Sequence, residues 1–459
     1  MSQHVCVIGA GPAGMATAST LCEQGFAVTL LDEQPAVGGQ IYRNITRVSA
    51  STAHVLGADY QAGQTLVDRL NTQPERLRHL CSTVVWGVDP DGTVNWKANG
   101  QTCTEQFDAL VLATGALERP TPMPGWTLPG VMTAGAAQIH LKNTGKPLCN
   151  TVLVGNGPLM YLVASQLAAL GAPPRALVDT STFGDEAAAA HYLRPTATTL
   201  GYFVKGLKLK ALLRRHGVVH LRGATNLRIE QAGEQLTLHY QHHGKAQHID
   251  SDYMLLHFGV VPNIQLSKAL GADHHWSAQN QCFEPTTSET GRLSGLKHVW
   301  QVGDGAGILG AEAAAISGEI AALEIASAFK GNSPSISERL RHLQAAKTKF
   351  QPIRRFLDHA YAPPQSVLCP SDDTIVCRCE EITAGQIKTA IAEGAQGPNQ
   401  AKAFTRCGMG SCQGRYCGLT VNQLFAQALG QSPAEVGYYR IRTPIKPITL
   451  GELASHDPA

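Results

Sequence analysis

Two glycine-rich turns and a cysteine-rich tail predict an α/β protein with two Rossmann-like domains and a small third domain. Each turn follows a short apolar strand and precedes a helical stretch, which is the pattern of a βαβ unit in a parallel sheet. The turns begin at Gly9 and Gly155, and cysteines cluster between Cys377 and Cys417. The 459 residues leave room for two or three domains, and 46 glycines with 43% apolar residues suit this class.

The first glycine-rich turn carries the residues of a dinucleotide-binding turn, which are Gly9, Gly11, Pro12, Ala13 and Gly14. In such a turn the first glycine allows a tight bend, the second lets the backbone approach a pyrophosphate, and the third lets helix and strand pack closely. The N-terminus of the following helix then binds the phosphates. The next apolar strand ends at Asp32, followed by Glu33, and a carboxylate at this point accepts hydrogen bonds from ribose hydroxyls.

Three later segments indicate that this dinucleotide is FAD. A small-residue loop follows Asp32 closely, and two buried apolar strands end in glycine turns further along the chain. These segments resemble the two-dinucleotide-binding-domain flavoproteins, in which a Gly-Asp pair contacts the ribityl chain and an Ala-Thr-Gly strand closes the FAD domain. For Asp304, an N-cap role at the following helix is compatible with flavin contact. The FAD ligands that the resemblance implies in these segments are Gly39, Gln40, Thr114, Gly115, Gly303 and Asp304.

The second glycine-rich turn departs from the fingerprint. Gly155 and Gly157 are in place, but Met160 occupies the third position, where a side chain would push the helix off the strand and damage a pyrophosphate pocket. The next strand ends at Asp179, which could hold a ribose and would oppose a 2′-phosphate. NADPH is therefore the least expected ligand. NAD(P)H use, a bound adenine nucleotide and an empty structural module remain alternatives.

Composition and charge exclude several classes of protein. The formal charge of +2 offers no basic field for nucleic acid, and no apolar run reaches the roughly 18 residues that a membrane span needs. We therefore expect a cytoplasmic protein that binds no nucleic acid and has no integral membrane segment. Twelve cysteines in such a chain indicate metal or redox chemistry rather than disulfides. The loop after Gly39 continues without a nearby thiol, which excludes a dithiol reductase.

The cysteine-rich tail has the spacing of a metal site. Cys377 and Cys379 lie one residue apart and cannot form an unstrained disulfide with each other, but both can point at one metal centre. The usual zinc spacing is C-x2-4-C, so a [2Fe-2S] cluster is favoured over structural zinc and over unliganded thiols. The second pair of ligands is ambiguous, because Cys407 to Cys412 and Cys412 to Cys417 have the same spacing.

The same stretch resembles the bacterioferritin-associated-ferredoxin-like [2Fe-2S] domain. Its pattern Gly-Met-Gly-x-Cys-Gln-Gly-Arg-x-Cys spans residues 408–417. Cys407 is then expected beside the ligands rather than among them. Glycines on both sides of the thiolates let backbone N–H groups approach the sulfurs, which raises the reduction potential of a cluster. The ligands that the resemblance implies are Cys377, Cys379, Cys412 and Cys417.

These features divide the chain into five predicted regions. The FAD-binding domain is discontinuous, because the Gly303-Asp304 segment belongs with the first glycine-rich turn. A helical linker separates it from the cysteine-rich domain, and spaced prolines predict an extended arm at the end, which lies either on a partner or on its own chain. The predicted ranges are 1–120 with 280–330 for FAD, 121–279 for the central nucleotide domain, 331–370 for the linker, 371–430 for the [2Fe-2S] domain and 431–459 for the arm.

Nearly the whole chain resembles the flavin-plus-iron–sulfur α subunit of bacterial amine-oxidising complexes. Residues 115–120, 124–138 and 155–159 carry this resemblance together with the first turn and the tail. The group includes opine oxidases, hydroxyproline and proline dehydrogenases, and cyanide synthase. In it, a β subunit similar to D-amino-acid oxidase removes hydride from a carbon next to nitrogen. The resemblance implies an α/β complex, in some members with an FMN at the α/β interface and with a small ferredoxin-like γ subunit.

The predicted function is therefore electron relay in a dehydrogenase for an opine, D-hydroxyproline or proline. Hydride brings two electrons whereas a [2Fe-2S] cluster carries one at a time, so a flavin between them is required. The sequence offers no His/Asp or paired-carboxylate motif from which an acid–base catalytic residue could be assigned. His140 and Lys142 are candidate flavin-edge groups, but an ordinary surface helix is the favoured interpretation. The final acceptor could hold such a complex at the inner membrane.

Two alternative functions remain. The first is an NAD(P)H-dependent FAD reductase that passes electrons to a ferredoxin-like acceptor. The second is an iron–sulfur docking or delivery module without enzymatic activity.

Overall fold

The computed structural model describes residues 3–455 and 457–458, so positions 1, 2, 456 and 459 of the predicted domain ranges lie outside the described residues. The first region contains β1 (His4–Ile8), α1 (Pro12–Glu23), β2 (Ala27–Leu31), α2 (Ala50–Leu56), α3 (Ala58–Gln61), α4 (Gln64–Leu70), β3 (Leu77–Leu80), β4 (Val84–Val88), β5 (Thr93–Ala98), β6 (Gln101–Gln106), β7 (Ala109–Leu112) and β8 (Ala116–Glu118). The central region contains β9 (Val131–Thr133), α5 (Ala134–Thr144), β10 (Thr151–Asn156), α6 (Pro158–Ala169), β11 (Ala176–Asp179), α7 (Phe183–Ala189), α8 (Ala197–Arg215), β12 (Val219–Arg222), β13 (Thr225–Ala232), β14 (Gln235–His242), β15 (Lys245–Ser251), β16 (Tyr253–Phe258), β17 (Val260–Pro262) and α9 (Gln265–Ala269). The remainder contains β18 (His274–Ser277), β19 (Cys282–Pro285), β20 (Val299–Gln301), α10 (Ala311–Lys330), α11 (Pro334–Thr348), α12 (Gln351–Ala360), α13 (Gln365–Leu368), β21 (Ile375–Cys377), β22 (Ile382–Thr383), α14 (Ala384–Ala392), α15 (Pro398–Thr405), α16 (Gly418–Leu429), α17 (Pro433–Val436), α18 (Leu450–Ala454) and β23 (Asp457–Pro458).

The first sheet has five parallel strands in the order β3-β2-β1-β7-β20. Every residue of β7 is buried, as expected for a parallel strand that is covered on both faces. Helices α1 and α10 pack against each other so closely that a Cβ on Gly318 would lie 2.2 Å from the Ala13 carbonyl oxygen. The last strand, β20, comes from far along the chain, so this domain is discontinuous in sequence.

The second sheet repeats this arrangement, with five parallel strands in the order β12-β11-β10-β16-β9. β10 corresponds to β1 and α6 corresponds to α1, because each pair forms the central strand and the helix that follows it. A separate antiparallel sheet, β13-β14-β15, stands beside the second sheet. The two parallel sheets confirm the predicted α/β class with two Rossmann-like domains.

The cysteine-rich domain consists of the β21-β22 hairpin and helices α14, α15 and α16. Thr383 and Gln386 form the predicted capping box at the start of α14. The domain does not have a separate core. Val376 and Cys377 pack in the same hydrophobic cluster as Ile8 and Leu112 of the first sheet. The cysteine-rich domain and the first nucleotide domain are therefore packed as one unit.

The described residues after 430 contact earlier parts of the chain. Ile445 donates its N–H to the Trp86 carbonyl, and Lys446 forms an ion pair with Glu33 at 2.9 Å. The segment is not extended throughout, because capping boxes at Ser432 and Thr449 start the short helices α17 and α18. Among the described residues, no helix has the length and apolar character needed to cross a membrane.

Candidate functional site

The predicted FAD turn brings three glycines into tight backbone contact at the N-terminus of α1. A Cβ on Gly9 would lie 2.4 Å from the Ala113 carbonyl oxygen, and one on Gly14 would lie 1.8 Å from the Gly9 carbonyl oxygen. Gly9 also has φ +107, which an L side chain rarely adopts. No side chain caps α1 in the described part of the chain. Its first N–H groups are therefore open to an anion such as a pyrophosphate.

The loop that carries Gly39 and Gln40 lies directly against this turn. A Cβ on Gly39 would lie 2.8 Å from the Gly11 Cα, so Gly39 must lack a side chain. Pro12 begins α1 and Ala13 follows it, with its side chain against Gly303, where an added Cβ would lie 2.7 Å away. These contacts explain why glycines occupy positions so far apart in sequence.

Asp32 lies at the carboxyl end of β2, whereas the next residue, Glu33, points elsewhere. The Asp32 carboxylate is buried and accepts hydrogen bonds from the backbone N–H groups of Ala10 and Gln34. Burial raises the pKa of Asp32, against the opposite effect of these two N–H groups. The Glu33 side chain is half exposed and pairs with Lys446. Asp32 is therefore positioned beside the turn as a ribose ligand requires, while Glu33 contacts the C-terminal arm.

Two further glycine turns lie at the same edge of the first sheet as Asp32. The Thr114 hydroxyl donates to the Asn263 carbonyl at 3.2 Å, and the Gly115 carbonyl accepts the Asn263 N–H at 3.0 Å. Asp304 accepts the N–H groups of Leu309 and Gly310 at 2.9 and 3.0 Å. Asp304 thus holds the loop that leads into α10. The turns that contain Thr114, Gly115, Gly303 and Asp304 lie at the carboxyl ends of β7 and β20, as does Asp32 at the end of β2.

Lys142 is buried, which corrects the expectation of an ordinary surface helix at α5. Its ammonium group donates to the carbonyls of Gln40 and Ile41 at 3.1 and 2.8 Å, and to the Gln138 side chain at 3.0 Å. Burial, and to a smaller extent Arg43, lowers the pKa of Lys142 to about 7. Lys142 therefore anchors the loop that carries Gly39 and Gln40. His140 is exposed, as expected for a surface position.

The second turn also joins a central strand to its helix, but its backbone path differs, because Gly11 has φ −75 where Gly157 has φ +104. A Cβ on Gly155 would lie 1.8 Å from the His257 carbonyl oxygen, and Gly157 has φ +104. Met160 is buried between helix and sheet, where Gly14 in the first domain leaves no side chain. Asn156, in this turn, donates to the Ala362 carbonyl at 2.9 Å, so the segment after α12 lies against the turn.

Asp179 has four donors within the protein, which leaves little capacity for a ribose. One carboxylate oxygen accepts the N–H and the hydroxyl of Ser181 at 2.8 and 2.7 Å. The other accepts from the Tyr161 hydroxyl at 2.7 Å and contacts the His220 ring nitrogen at 3.1 Å. Burial opposes ionisation, but bonds from His220, Ser181 and Tyr161 hold the pKa of Asp179 below its usual value. The predicted second ribose ligand is thus used internally.

A cavity of about 780 Å³ lies between this second turn and the first domain. Its lining is mainly apolar and includes Gly157 and Pro158 at one end and Asp304 and Leu309 at the other. Phe203 of α8 and Phe356 of α12 pack against each other at its wall, with ring centroids 5.4 Å apart. The cavity therefore extends from the second turn to Asp304, which the family resemblance implies as a flavin ligand.

Five cysteines converge in the cysteine-rich domain. The sulfurs of Cys377, Cys407 and Cys417 lie within 4.8 Å of one another, and all three side chains are buried. Cys412 is buried within hydrogen-bonding reach of Cys379, which is exposed. Cys377 thus contacts both Cys407 and Cys417, and Cys379 contacts Cys412. Cysteine thiols grouped in this way suit an iron–sulfur cluster.

Backbone N–H groups surround these sulfurs. Side-chain hydrogen bonds from Cys407 and Cys417, with further bonds from the N–H groups of Gly408 and Glu380, lower the pKa of Cys377 to about 2. Burial raises the pKa of Cys412, while N–H groups of Tyr416 and Gly414 act against it. These bonds favour the thiolate, which is the form that binds metal, at Cys377, whereas the pKa values of Cys407, Cys412 and Cys417 are raised.

A short path of hydrogen bonds joins residues 407–417, the cysteine segment, to the turn that follows β7. Asn263 bonds to both Thr114 and Gly115, as described above. Two residues later, the buried Gln265 donates its side-chain amide to the Gln413 carbonyl at 3.3 Å, next to Cys412. Sequence reasoning missed Gln265 because an isolated glutamine after a strand has no distinctive pattern.

Comparisons with known proteins agree with this arrangement. Residues 3–346 match the family model described as pyridine nucleotide-disulphide oxidoreductase, and residues 375–427 match the BFD-like [2Fe-2S] binding domain. The chain is 41% identical over 451 residues to an opine oxidase subunit of Rhizobium meliloti, with 98% of this chain and 97% of that protein covered. It is 31% identical over 490 residues to hydrogen cyanide synthase subunit HcnB of Pseudomonas protegens, with full coverage of both.

A solved structure shares the fold over nearly the whole chain. L-proline dehydrogenase from P. horikoshii superposes with a TM-score of 0.71 at 19% identity, and covers 99% of this chain and 79% of that one. At this identity the likeness concerns the fold alone.

Proposed function

The chain belongs to the family of hydrogen cyanide synthase subunit HcnB and the homologous subunit of opine oxidase, and we propose that it relays electrons between two cofactors. It has a pyridine nucleotide-disulphide oxidoreductase fold and a BFD-like [2Fe-2S] domain. It is an oxidoreductase subunit whose cofactors are FAD and a [2Fe-2S] cluster. The proposed source of electrons is an amino or imino acid of the opine, D-hydroxyproline or proline class. One observation supports the relay most directly, namely the packing of both cofactor sites around a single hydrophobic core.

In the proposed relay, the protein's contribution is to position the two sites. When bound, FAD accepts electrons in pairs or singly, and the cluster carries one electron at a time. The glycine turn and Asp32 would hold the pyrophosphate and ribose of FAD, and Lys142 holds the loop that carries Gly39. Gln265 connects the turn after β7 with the cysteine segment through its bond to Gln413. These contacts keep the donor and the acceptor at a constant separation.

We propose the ligand set Cys377, Cys379, Cys412 and Cys417. Two contacts support it, because Cys417 lies within 4.8 Å of Cys377 and Cys412 lies within hydrogen-bonding reach of Cys379. Cys407 then lies beside Cys377 and Cys417 as a fifth thiol. Single cysteine-to-serine variants test this set through the visible and EPR spectra of the purified full chain. Loss of the cluster in Cys407→Ser with retention in Cys417→Ser would contradict it.

The amine substrate is proposed to bind on another polypeptide of the same complex. The relatives carry subunit names, which supports a heteromeric complex, and we propose a β subunit similar to D-amino-acid oxidase. Optional parts of this complex are an FMN at the α/β interface and a small ferredoxin-like γ subunit. We further propose that the complex is cytoplasmic, with contact to the inner membrane only through its acceptor.

Purification of the native complex tests this function. We expect a D-amino-acid-oxidase-like chain to copurify, and FAD and cluster to be reduced on addition of an opine, D-hydroxyproline or proline. NADH added to the isolated chain should not bleach the flavin, because Asp179 and Met160 impair the second turn. Rapid bleaching by NADH would favour the reductase alternative. Transfer of the cluster to an apo acceptor without flavin turnover would favour the delivery alternative.

A further inference from the structure

Tyr439, in the segment after α17, packs against the cysteine segment. Its side chain is 1% exposed. The ring lies against the backbone at two glycines, where a Cβ would come 2.6 Å from the ring at Gly408 and 2.4 Å at Gly414. Larger residues at these glycines would displace the ring. Two glycines of the cysteine segment therefore serve to admit this tyrosine.

The Tyr439 hydroxyl points at sulfur. It donates to the Cys407 Sγ at 3.4 Å and lies 3.9 Å from the Cys417 Sγ. Cys407 in turn lies within 4.8 Å of Cys377 and Cys417. On the other side of the ring, the Lys402 ammonium group lies 4.6 Å from the ring centroid. The phenol and the ammonium group both place positive charge density towards this group of sulfurs.

Side chains on α15 and α16 hold this segment in place. Asn422 donates to the Pro433 and Gly437 carbonyls at 2.8 and 2.6 Å. Asn399 accepts the Arg440 N–H at 2.9 Å and donates to the Tyr438 carbonyl at 3.2 Å. These hydrogen bonds hold the backbone on both sides of Tyr439. The fold therefore determines the position of the Tyr439 hydroxyl.

We propose that Tyr439 and Cys407 form a hydrogen-bond relay that raises the reduction potential of the cluster at its Cys377 and Cys417 side. The proposal rests on the ligand set proposed above. The phenol O–H donates to the Cys407 sulfur, and the Cys407 S–H donates to a ligand sulfur. Reduction adds one negative charge to a cluster, which sulfur shares, so donors at sulfur stabilise the reduced form more than the oxidised form. Tyr439 is a positioning residue, since it acts through Cys407.

EPR-monitored redox titration of the purified full chain tests this relay. We expect Tyr439→Phe to lower the midpoint potential, with about a tenfold change in the one-electron equilibrium, or about 59 mV. Cys407→Ala should lower it by a similar amount. The double variant should shift no further than the larger single shift, because both residues serve one chain of bonds.

Tyr438→Phe is the matched control. The Tyr438 hydroxyl donates to the Gly414 carbonyl at 3.3 Å and not to sulfur, so its removal should leave the potential unchanged. FAD content verifies folding of each variant independently of the cluster.

Three outcomes would overturn the relay. These are an unchanged potential in Tyr439→Phe, a shift in the double variant equal to the sum of the single shifts, or loss of the cluster in Cys407→Ala. The last would make Cys407 a ligand. Absence of a [2Fe-2S] spectrum in the unmodified, FAD-containing chain would instead contradict the proposed function itself, so the two failures are distinguishable.

Discussion

The two nucleotide domains share one strand order but differ at the place where a ligand would bind. Gly14 brings α1 onto β1 in the first domain, whereas Met160 fills the corresponding position in the second. Asp32 has two backbone donors, whereas Asp179 has four donors from Ser181, Tyr161 and His220. The comparison teaches that strand pairing and helix packing preserve the βαβ framework while the turn itself differs, since φ is −75 at Gly11 and +104 at Gly157.

The largest expected effect is at Gly14. Gly14→Val places a side chain against the Gly9 carbonyl, which must move, so we expect purified FAD content to fall below about a tenth of normal. Met160→Leu is the matched change in the second turn and should cost less than about 1.5 kcal/mol with full FAD content. Flavin absorbance per chain measures both. Equal FAD loss in the two variants would mean that the turns do not differ as described.

Substitution of Asp32 should weaken FAD binding, whereas substitution of Asp179 should reduce the stability of the fold. Asp32→Asn should weaken FAD binding by about 1.5–3 kcal/mol, since it removes a charged acceptor. Asp179→Asn should leave FAD affinity unchanged but destabilise the fold by about 1–3 kcal/mol for each donor left unpaired. FAD titration of the apoprotein and thermal unfolding separate the two effects. A change in nucleotide affinity without loss of stability in Asp179→Asn would restore Asp179 as a ribose ligand.

Lys142 lies where α5 of the second domain meets the first, and its effect should depend on pH. Its pKa is lowered from 10.5 to about 7 on folding, so between these values the unfolded chain binds more protons. Unfolding free energy should then rise with pH above about 7, by at most about 1.4 kcal/mol per pH unit. Thermal unfolding at about pH 7.5 and about pH 9 measures this rise, which Lys142→Met should abolish. A slope that persists in Lys142→Met would assign it to another group.

Glu33 should show the smallest effect. Its half-exposed carboxylate pairs with Lys446, and surface ion pairs contribute about 0–1 kcal/mol. Glu33→Gln should therefore leave FAD affinity nearly unchanged, in contrast to Asp32→Asn at the adjacent position. FAD titration measures both. A tenfold loss of affinity in Glu33→Gln would make Glu33 the ribose ligand.

Much of the fold and of the candidate site could be predicted from sequence. The glycine turns predicted two parallel-sheet domains, and the Thr383 capping box predicted the start of α14, because these signals depend on neighbouring residues. The buried state of Lys142 could not be predicted, since a lysine on a helix of mixed composition usually faces solvent. The course of the C-terminal segment was equally open, because spaced prolines do not specify the surface on which they lie.

The sequence by itself determined the α/β class, the identity of the first turn as a dinucleotide site and the presence of a cysteine-ligand centre. These properties follow from residues at fixed short offsets. Only the tertiary structure decided how side chains distant in sequence are used. The partners of Asp179 lie up to 41 residues away, Tyr439 is 32 residues from Cys407, and Lys142 is 102 residues from Gln40. Such contacts form only when strands and helices pack together, so local sequence patterns do not predict them.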